Sequence, residues 1–296
     1  MNQVKSTLGT NSTPTRVLVL GGAGFIGRNA VSALLDQGVS VTIGSRHPDR
    51  IDSRLPNAAL SAARKQVRLE VTTTPSMWRS LVRDTDVVLN CVGILRQRGA
   101  ETYDLVHRAA PHALADACAE AGTRLVHVSA LGLREGAKSR FLTSKLAGEA
   151  AIAASAADWI IARPSLLDGE GGYGAWWLRM VSRLPIFVVP SDAQGRIAPL
   201  FVEELGEALA RLCLAPASAL NLSESRMFEL GGPDEFSFPG YIRALRSTYT
   251  QRGAICVPVP GVVARLVAHA CDVLHATPFS FGHWELLRND NVPSPN

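Results

Sequence analysis

Three groups of residues in this chain could do chemistry. The first is the glycine string "GGAGFIG", which reads as GxxGxxG (Gly21, Gly24, Gly27) or as GxGxxG (Gly22, Gly24, Gly27). Either spacing lets the backbone turn tightly and come close to a pyrophosphate, which then meets the exposed N–H groups of a helix N-terminus. The second is "IGSRHPDR", where Ser45 and Arg46 stand at the place an NAD site usually gives to an acid. A guanidinium there can pair with a 2′-phosphate through its planar fork, which favours NADPH over NADH; the plainer reading is a solvated surface arginine. Arg50 is a possible second cation, and Asp49 could neutralise it. The third is "SRFLTSKLAGEA", Ser139 to Ala150, in which Lys145 follows Phe141 by four residues, so that an ammonium and an aromatic ring share one helix face.

The elements that must position these groups are legible in outline. "RVLVL" is a buried apolar strand feeding the glycine turn, and the helix after it carries Ile26, Ala30, Ala33 and Leu34 on one side and stops at Gly38. "VSVTIGS", "QVRLEV", "TDVVLNCVG", "RLVHVSA" and "DWIIARPS" read as further strands. Helices are expected at "SMWRSLVRD" with a Ser76 cap, in the stretch ending at Gly122, and over the Phe141/Lys145 segment. Apolar runs without period-two alternation suit parallel strands buried on both faces, so the fold class is α/β with a doubly wound parallel sheet. Beyond Pro164 the alternation weakens. "GAWWLRMVSRLPIFVVP" reads as a helix and then an extended piece, "VEELGEALARLCL" and "GVVARLVAHACDVLHA" as helices, "MFELGG" as a short strand, and the end as irregular. The expected organisation is a flexible tail over 1–14, a dinucleotide-binding core over 15–165, and a smaller substrate- or partner-side region over 166–296 interleaved with the core.

Composition narrows the function classes. With 47% hydrophobic and 19% charged residues and a formal net charge of +4, this is an ordinary globular chain. Its five cysteines form no CxxC pair and have no histidines at metal-ligand spacing, which argues against zinc and for scattered thiols in a reducing, cytoplasmic setting. No basic stripe is interleaved with aromatics, so no nucleic-acid partner is expected. The acidic stretches "VEELGE" and "GGPDEF" are too isolated for a metal site.

Taken in order, the glycine turn, Asn90-Cys91-Val92-Gly93 at a strand end, Ser129 after a strand, and the Phe141/Lys145 helix resemble the extended and atypical short-chain dehydrogenase/reductase superfamily, with its Rossmann core. The pieces "VLNCVGIL", "LVHVSALG", "SRFLTSKLAGE", "IAPLFVEELGEAL" and "FELGGPDEFSF" are similar to a narrower branch. That branch holds the NADPH-binding accessory subunit of respiratory complex I, its bacterial relatives and a ubiquinone-biosynthesis member. The resemblance implies that Gly21, Gly24, Phe25, Ile26, Gly27, Ser45, Arg46, Cys91, Val92 and Gly93 bind cofactor. It implies that Lys145 holds the nicotinamide ribose, that Pro164 lies beside the nicotinamide, and that Ser129 faces a substrate carbonyl. The departure is Phe141, at the position of the family's tyrosine. A phenol beside a lysine donates a proton to the carbonyl oxygen; a phenyl ring cannot, and loss of a general acid costs about 10²–10⁴-fold. Tyr173, Tyr103 and His107 are candidate substitutes, each with an ordinary packing role as the alternative.

Two functions of different kind follow: an NADPH-dependent reductase of a hydrophobic or quinone-related substrate with an atypical site, or a non-catalytic, NADPH-stabilised scaffold for a respiratory or quinone-biosynthesis complex. Trp176 and Trp177 beside Arg179 and Arg183 suit a membrane interface or a hydrophobic cleft, or a helix packed on the sheet. With the quinone-linked branch, they raise the expectation of peripheral association with the inner membrane.

Overall fold

The computed structural model describes residues 14–49, 55, 57–69, 74–220, 226–274 and 277–294; the expected N-terminal tail, apart from Pro14, and Arg50 lie outside them. The core alternates β1 (Arg16–Leu20), α1 (Phe25–Asp36), β2 (Ser40–Ser45), β3 (Ala63–Gln66), α2 (Pro75–Val82), β4 (Val87–Asn90), α3 (Ala110–Ala121), β5 (Arg124–Val128), α4 (Arg140–Ala153) and β6 (Trp159–Pro164). After it come β7 (Leu167–Asp168), α5 (Tyr173–Ser182), β8 (Ile186–Pro190), β9 (Arg196–Ile197), β10 (Leu200–Phe201), α6 (Val202–Leu214), α7 (Ala217–Leu220) and β11 (Met227–Leu230). The chain continues with β12 (Phe236–Ser237), α8 (Phe238–Ser247), β13 (Ile255–Val259), α9 (Gly261–Leu274) and α10 (Phe281–Leu287).

Among the described residues, seven strands form one sheet in the order β11-β6-β5-β4-β1-β2-β3, every neighbouring pair parallel. The chain order reverses between β1 and β4, and the crevice at that switch point is where such sheets bind ligands. One face is packed by α1 and α6 through Ala30, Leu34, Leu205 and Leu209 against Val19, Leu89 and Val126. The other is packed by α2 and α3 through Trp78, Leu114 and Cys118 against Leu18, Val88 and Leu125. Both faces of the central strands are therefore dry, which is why their sequences run apolar without alternation.

Four expectations need correction. The third strand is Ala63–Gln66, with Val67–Leu69 following it rather than forming it; the rest of the expected strand lies outside the described residues. As an edge strand half open to water, it has no need of an apolar run. Helix α2 starts two residues earlier than a Ser76 cap allows: Thr74 is the N-cap and Pro75 the first helical residue, a place proline's missing N–H suits. The approach to α3 is not plain α-helix, because Asp104–Ala109 forms a π-helical turn. The C-terminal end is not wholly irregular; Ser280 caps α10 by accepting a hydrogen bond from His283 N.

Candidate functional site

The glycine turn joins β1 to α1 at the switch point. Gly21 holds φ +72°, and a Cβ on Gly27 would stand 2.2 Å from the Gly21 carbonyl oxygen, so the turn and the first turn of α1 touch backbone to backbone. Gly24 is the N-cap of α1, no side chain caps it, and no acid lies in the first turn. The helix N-terminus is thus left open for an anion. Behind it, Phe25 lies against Gly172, the Arg28 guanidinium lies 5.5 Å from the Phe25 ring centroid, and Arg28 also donates to the Glu170 carbonyl.

A cavity of about 600 Å³ opens in front of this turn. It gathers Gly21, Gly24, Phe25, Ile26, Gly27, Ser45, Arg46, Cys91, Val92 and Gly93, every cofactor-binding candidate except Lys145 and Pro164. Arg46 sits just past β2, as expected, but its guanidinium is paired with Glu101 Oε1 at 2.8 Å, and Glu101 lines the same cavity. An acid does reach this corner of the site, then, from a loop fifty-five positions on rather than from the strand end. His47 joins them there. Sequence reasoning missed Glu101 because nothing local in "RGAETY" distinguishes it from a solvated loop acid. Cys91 has its thiol pushed well up by burial, which fits an inert floor residue.

The wall at Cys91–Gly93 is built by a strand end, and Lys145 of α4 approaches it from outside the cavity. Asn90 Oδ1 accepts from Val92 N at 3.1 Å, which fixes the Cys91–Gly93 bend, and its amide donates to His127 Nδ1 at 3.1 Å. Lys145 reaches toward this bend: a Cβ on Gly93 would be 3.8 Å from its Nζ. Burial lowers the Lys145 pKa to about 8 from 10.5, against the pull of Glu149 one turn on. Ser129 follows β5, the strand beside β4; its N–H donates to the Ala162 carbonyl, while its buried hydroxyl has no protein partner. Pro164, at the end of β6, is buried and its carbonyl accepts from Leu131 N. Neither Ser129, Phe141, Lys145 nor Pro164 lines the 600 Å³ cavity; Lys145 touches its edge at Gly93.

Helix α4 is held close to this wall. A Cβ on Gly148 would stand 1.8 Å from the His107 carbonyl oxygen, so only glycine lets α4 lie on the π-helical turn. Its N-terminus is capped twice, by Ser139 Oγ accepting from Phe141 N and by the Glu285 carboxylate of α10 accepting from Lys138 N and Ser139 N at 2.8 Å each. Phe141 ends up boxed by rings: Tyr103 at 6.0 Å, His107 at 5.7 Å and His283 at 6.2 Å between centroids, with Lys145 Nζ 5.7 Å from its own.

Two of the substitute acids are already engaged. Ile94 N–H donates to His107 Nε2, so the proton of this imidazole sits on Nδ1 and goes to Ser144 Oγ, which in turn donates to the Phe141 carbonyl. Burial and the nearby Lys145 and His127 lower the His107 pKa to about 3, which keeps it neutral and structural. Tyr103 donates its hydroxyl to the Leu95 carbonyl at 2.8 Å. Tyr173 lies half exposed at the start of α5, stacked on Trp176. His283, which the sequence did not single out, is held by Ser280 Oγ at 2.7 Å, and burial with Arg96 nearby lowers its pKa to about 4. No cluster of three or more metal-ligating side chains occurs among the described residues.

An open helix N-terminus at the switch point of a doubly wound parallel sheet is the arrangement of a dinucleotide-binding α/β protein with a Rossmann core. The chain belongs to the NAD(P)H-binding family, whose sequence profile matches residues 21–176. It is 29% identical over 293 residues to a ceramide reductase of Caulobacter vibrioides, covering 94% of this chain and 86% of that one. It is 23% identical over 251 residues to the mitochondrial NADH dehydrogenase [ubiquinone] 1 alpha subcomplex subunit 9 of Dictyostelium discoideum, covering 84% and 68%. Among solved structures, the Bordetella bronchiseptica enzyme WbmG in complex with NAD superposes with a TM-score of 0.64 at 14% identity, over 85% of this chain and 84% of that one. A UDP-glucose 4-epimerase of Thermotoga maritima with UDP-glucose gives 0.61 at 15% identity, over 83% and 86%. At those identities the structural likeness speaks for the fold alone.

Proposed function

We propose that this chain binds NADPH and reduces a carbonyl on a hydrophobic, lipid-like substrate, with Lys145 in place of a tyrosine as the proton source. The observation that carries the reading is the Ser129 hydroxyl, buried without a partner at the strand end beside the Lys145 wall. A buried donor left unpaired costs about 1–3 kcal/mol, and an oxyanion is the group it would satisfy. Bound in the cavity, NADPH would supply hydride. The glycine turn and the open end of α1 would hold the pyrophosphate, and Arg46 with His47 the 2′-phosphate. Ser129 would donate to the substrate oxygen. Lys145, with a pKa near 8, is charged at neutral pH yet gives up its proton easily, which is the range a general acid needs. The ceramide reductase of similar length supports a lipid-like substrate.

A second reading is favoured by one specific feature: α10 packs on Phe141, with Gly282 against its Cβ and Cδ1 and the His283 ring stacked on its face. On that reading NADPH stabilises a scaffold for a respiratory or quinone-linked complex, as the relative among NADH dehydrogenase subunits would suggest. The experiment is to follow NADPH consumption with long-chain keto lipids, ceramide-type ketones included, in mixed micelles. Turnover that Ser129→Ala and Lys145→Met both abolish, with NADPH binding retained in Ser129→Ala, is the expected result. NADPH binding by calorimetry without turnover on any long-chain ketone would refute the reductase and leave the scaffold.

A further inference from the structure

Outside the cofactor site, the C-terminal region turns apolar side chains outward. Helix α9 buries only Ala264 and Ala268, which pack on Trp284. Its other apolar positions face water: Val262 is 74% exposed, Leu266 65% and Val273 77%. The apolar positions of this helix fall at helical spacing, and the structure puts most of them on the surface. Strands β8 and β13 form a two-stranded parallel ribbon in register Ile186↔Ile255 and Val188↔Val257. Its inner face, Phe187 and Val189, packs on Ile242 and Leu287, while the four registered residues are exposed. Pro260 carries the ribbon directly into α9, and α5, which precedes the ribbon, exposes Trp176 beside it in sequence and packs Trp177 inward. Water-exposed valine, leucine and isoleucine at this density mark an interaction surface.

The charge of the same segments says what it meets. Residues 171–191 and 236–271 contain six arginines and no aspartate or glutamate. Arg179 is paired with Asp168, and Arg246 is buried, donating to the carbonyls of Ser182, Leu184 and Arg252. The other four, Arg183, Arg243, Arg252 and Arg265, are exposed. The acid that α9 does carry, Asp272, is turned inward: it pairs with Arg96 and accepts from Phe281 N. We infer that this face, α9 with the β8/β13 ribbon, docks on an anionic lipid bilayer.

An interfacial helix with apolar side chains on its face and arginines beside them is suited to the headgroup boundary, with indole at the same level. No helix among the described residues is long and apolar enough to cross a membrane, so the association is peripheral. A second copy of the chain is the poorer occupant, since a two-fold contact would set these arginines against one another. The inference stands on exposure and charge and holds with or without catalysis.

The test is cosedimentation of the full chain with vesicles of phosphatidylcholine alone and of phosphatidylcholine with phosphatidylglycerol. Binding to the anionic vesicles, weakened by added salt, is expected. Each cation near an anionic surface is worth about fivefold in partitioning, so Arg183→Gln with Arg265→Gln should cost at least about tenfold. Leu266→Asp with Val273→Asp should abolish binding while leaving the melting temperature unchanged, because both side chains are exposed. Absence of binding to anionic vesicles, or binding that neither pair of substitutions weakens, would overturn the inference. So would a dimer, seen by sedimentation velocity, that Leu266→Asp dissolves in a protein that ignores vesicles.

Discussion

Replacing Lys145 by methionine should make the protein more stable at neutral pH while destroying its use of NADPH. The lysine pKa falls from 10.5 in an open chain to about 8 here, with burial as the leading cause. At 1.36 kcal/mol per pKa unit, keeping the ammonium charged in its slot costs the folded state about 3 kcal/mol. The sign follows from proton linkage. Below pH 8 both states bind the proton and the full penalty applies. Between pH 8 and 10.5 the unfolded chain binds more protons than the folded one, so stability rises with pH until the penalty is gone. Methionine fills a similar slot without charge. Urea denaturation of the two proteins at intervals from pH 7 to pH 10.5 should therefore show the variant ahead by about 3 kcal/mol at pH 7, or about 5 °C in melting temperature, with the gap closing at the alkaline end. A constant gap across that range, or a variant less stable than the parent at pH 7, would refute both the burial of the charge and the acid role built on it.

Arg46→Ala should weaken NADPH binding at least tenfold and leave NADH binding unchanged, whereas Glu101→Gln, which frees the Arg46 fork, should strengthen NADPH binding; calorimetry with both cofactors reads both. Glu285→Ala removes a carboxylate that accepts from two backbone N–H groups and should cost about 3 kcal/mol in urea denaturation, with faster proteolysis in 277–294 as α10 comes loose. Phe141→Tyr restores a phenol near Lys145 and, if the pocket is that of a reductase, should raise kcat on generic carbonyls by about 10²–10⁴-fold; an unchanged rate with normal NADPH binding would mean α10 keeps substrate out.

What was legible in the sequence was what depends on neighbours along the chain. The glycine turn, the parallel strands and α4 carry their signals within a dozen residues, since close backbone approach demands glycine and double burial demands an apolar run. Strand β3 breaks the rule because an edge strand, "ARKQ", needs no apolar run, and the more hydrophobic residues lie just beyond it. Thr74-Pro75 is the stronger start signal for α2 than Ser76, because proline suits the first helical position. Glu101 and His283 were illegible for a different reason. Each acts on a residue far away, Arg46 in one case and Phe141 in the other, and no local pattern encodes such pairing.

The same distinction explains why Phe141 is a poorer guide to function than it first looks. A missing hydroxyl reads from the sequence as a missing acid. In the fold, however, the ring is one side of a packed box whose other walls come from the π-helical turn before α3, with its N-cap Tyr103, and from α10. His107 and Tyr103 cannot stand in for the phenol, because their polar atoms are spent on Ser144, Ile94 N and the Leu95 carbonyl. What the box leaves free is Lys145, with its pKa brought near neutrality, and the unpaired Ser129 hydroxyl. On the reductase reading proposed above, the acid role would move one helical turn along α4, from the ring to the ammonium. The acid limb of activity should accordingly follow a group titrating near pH 8, falling away as pH rises above it.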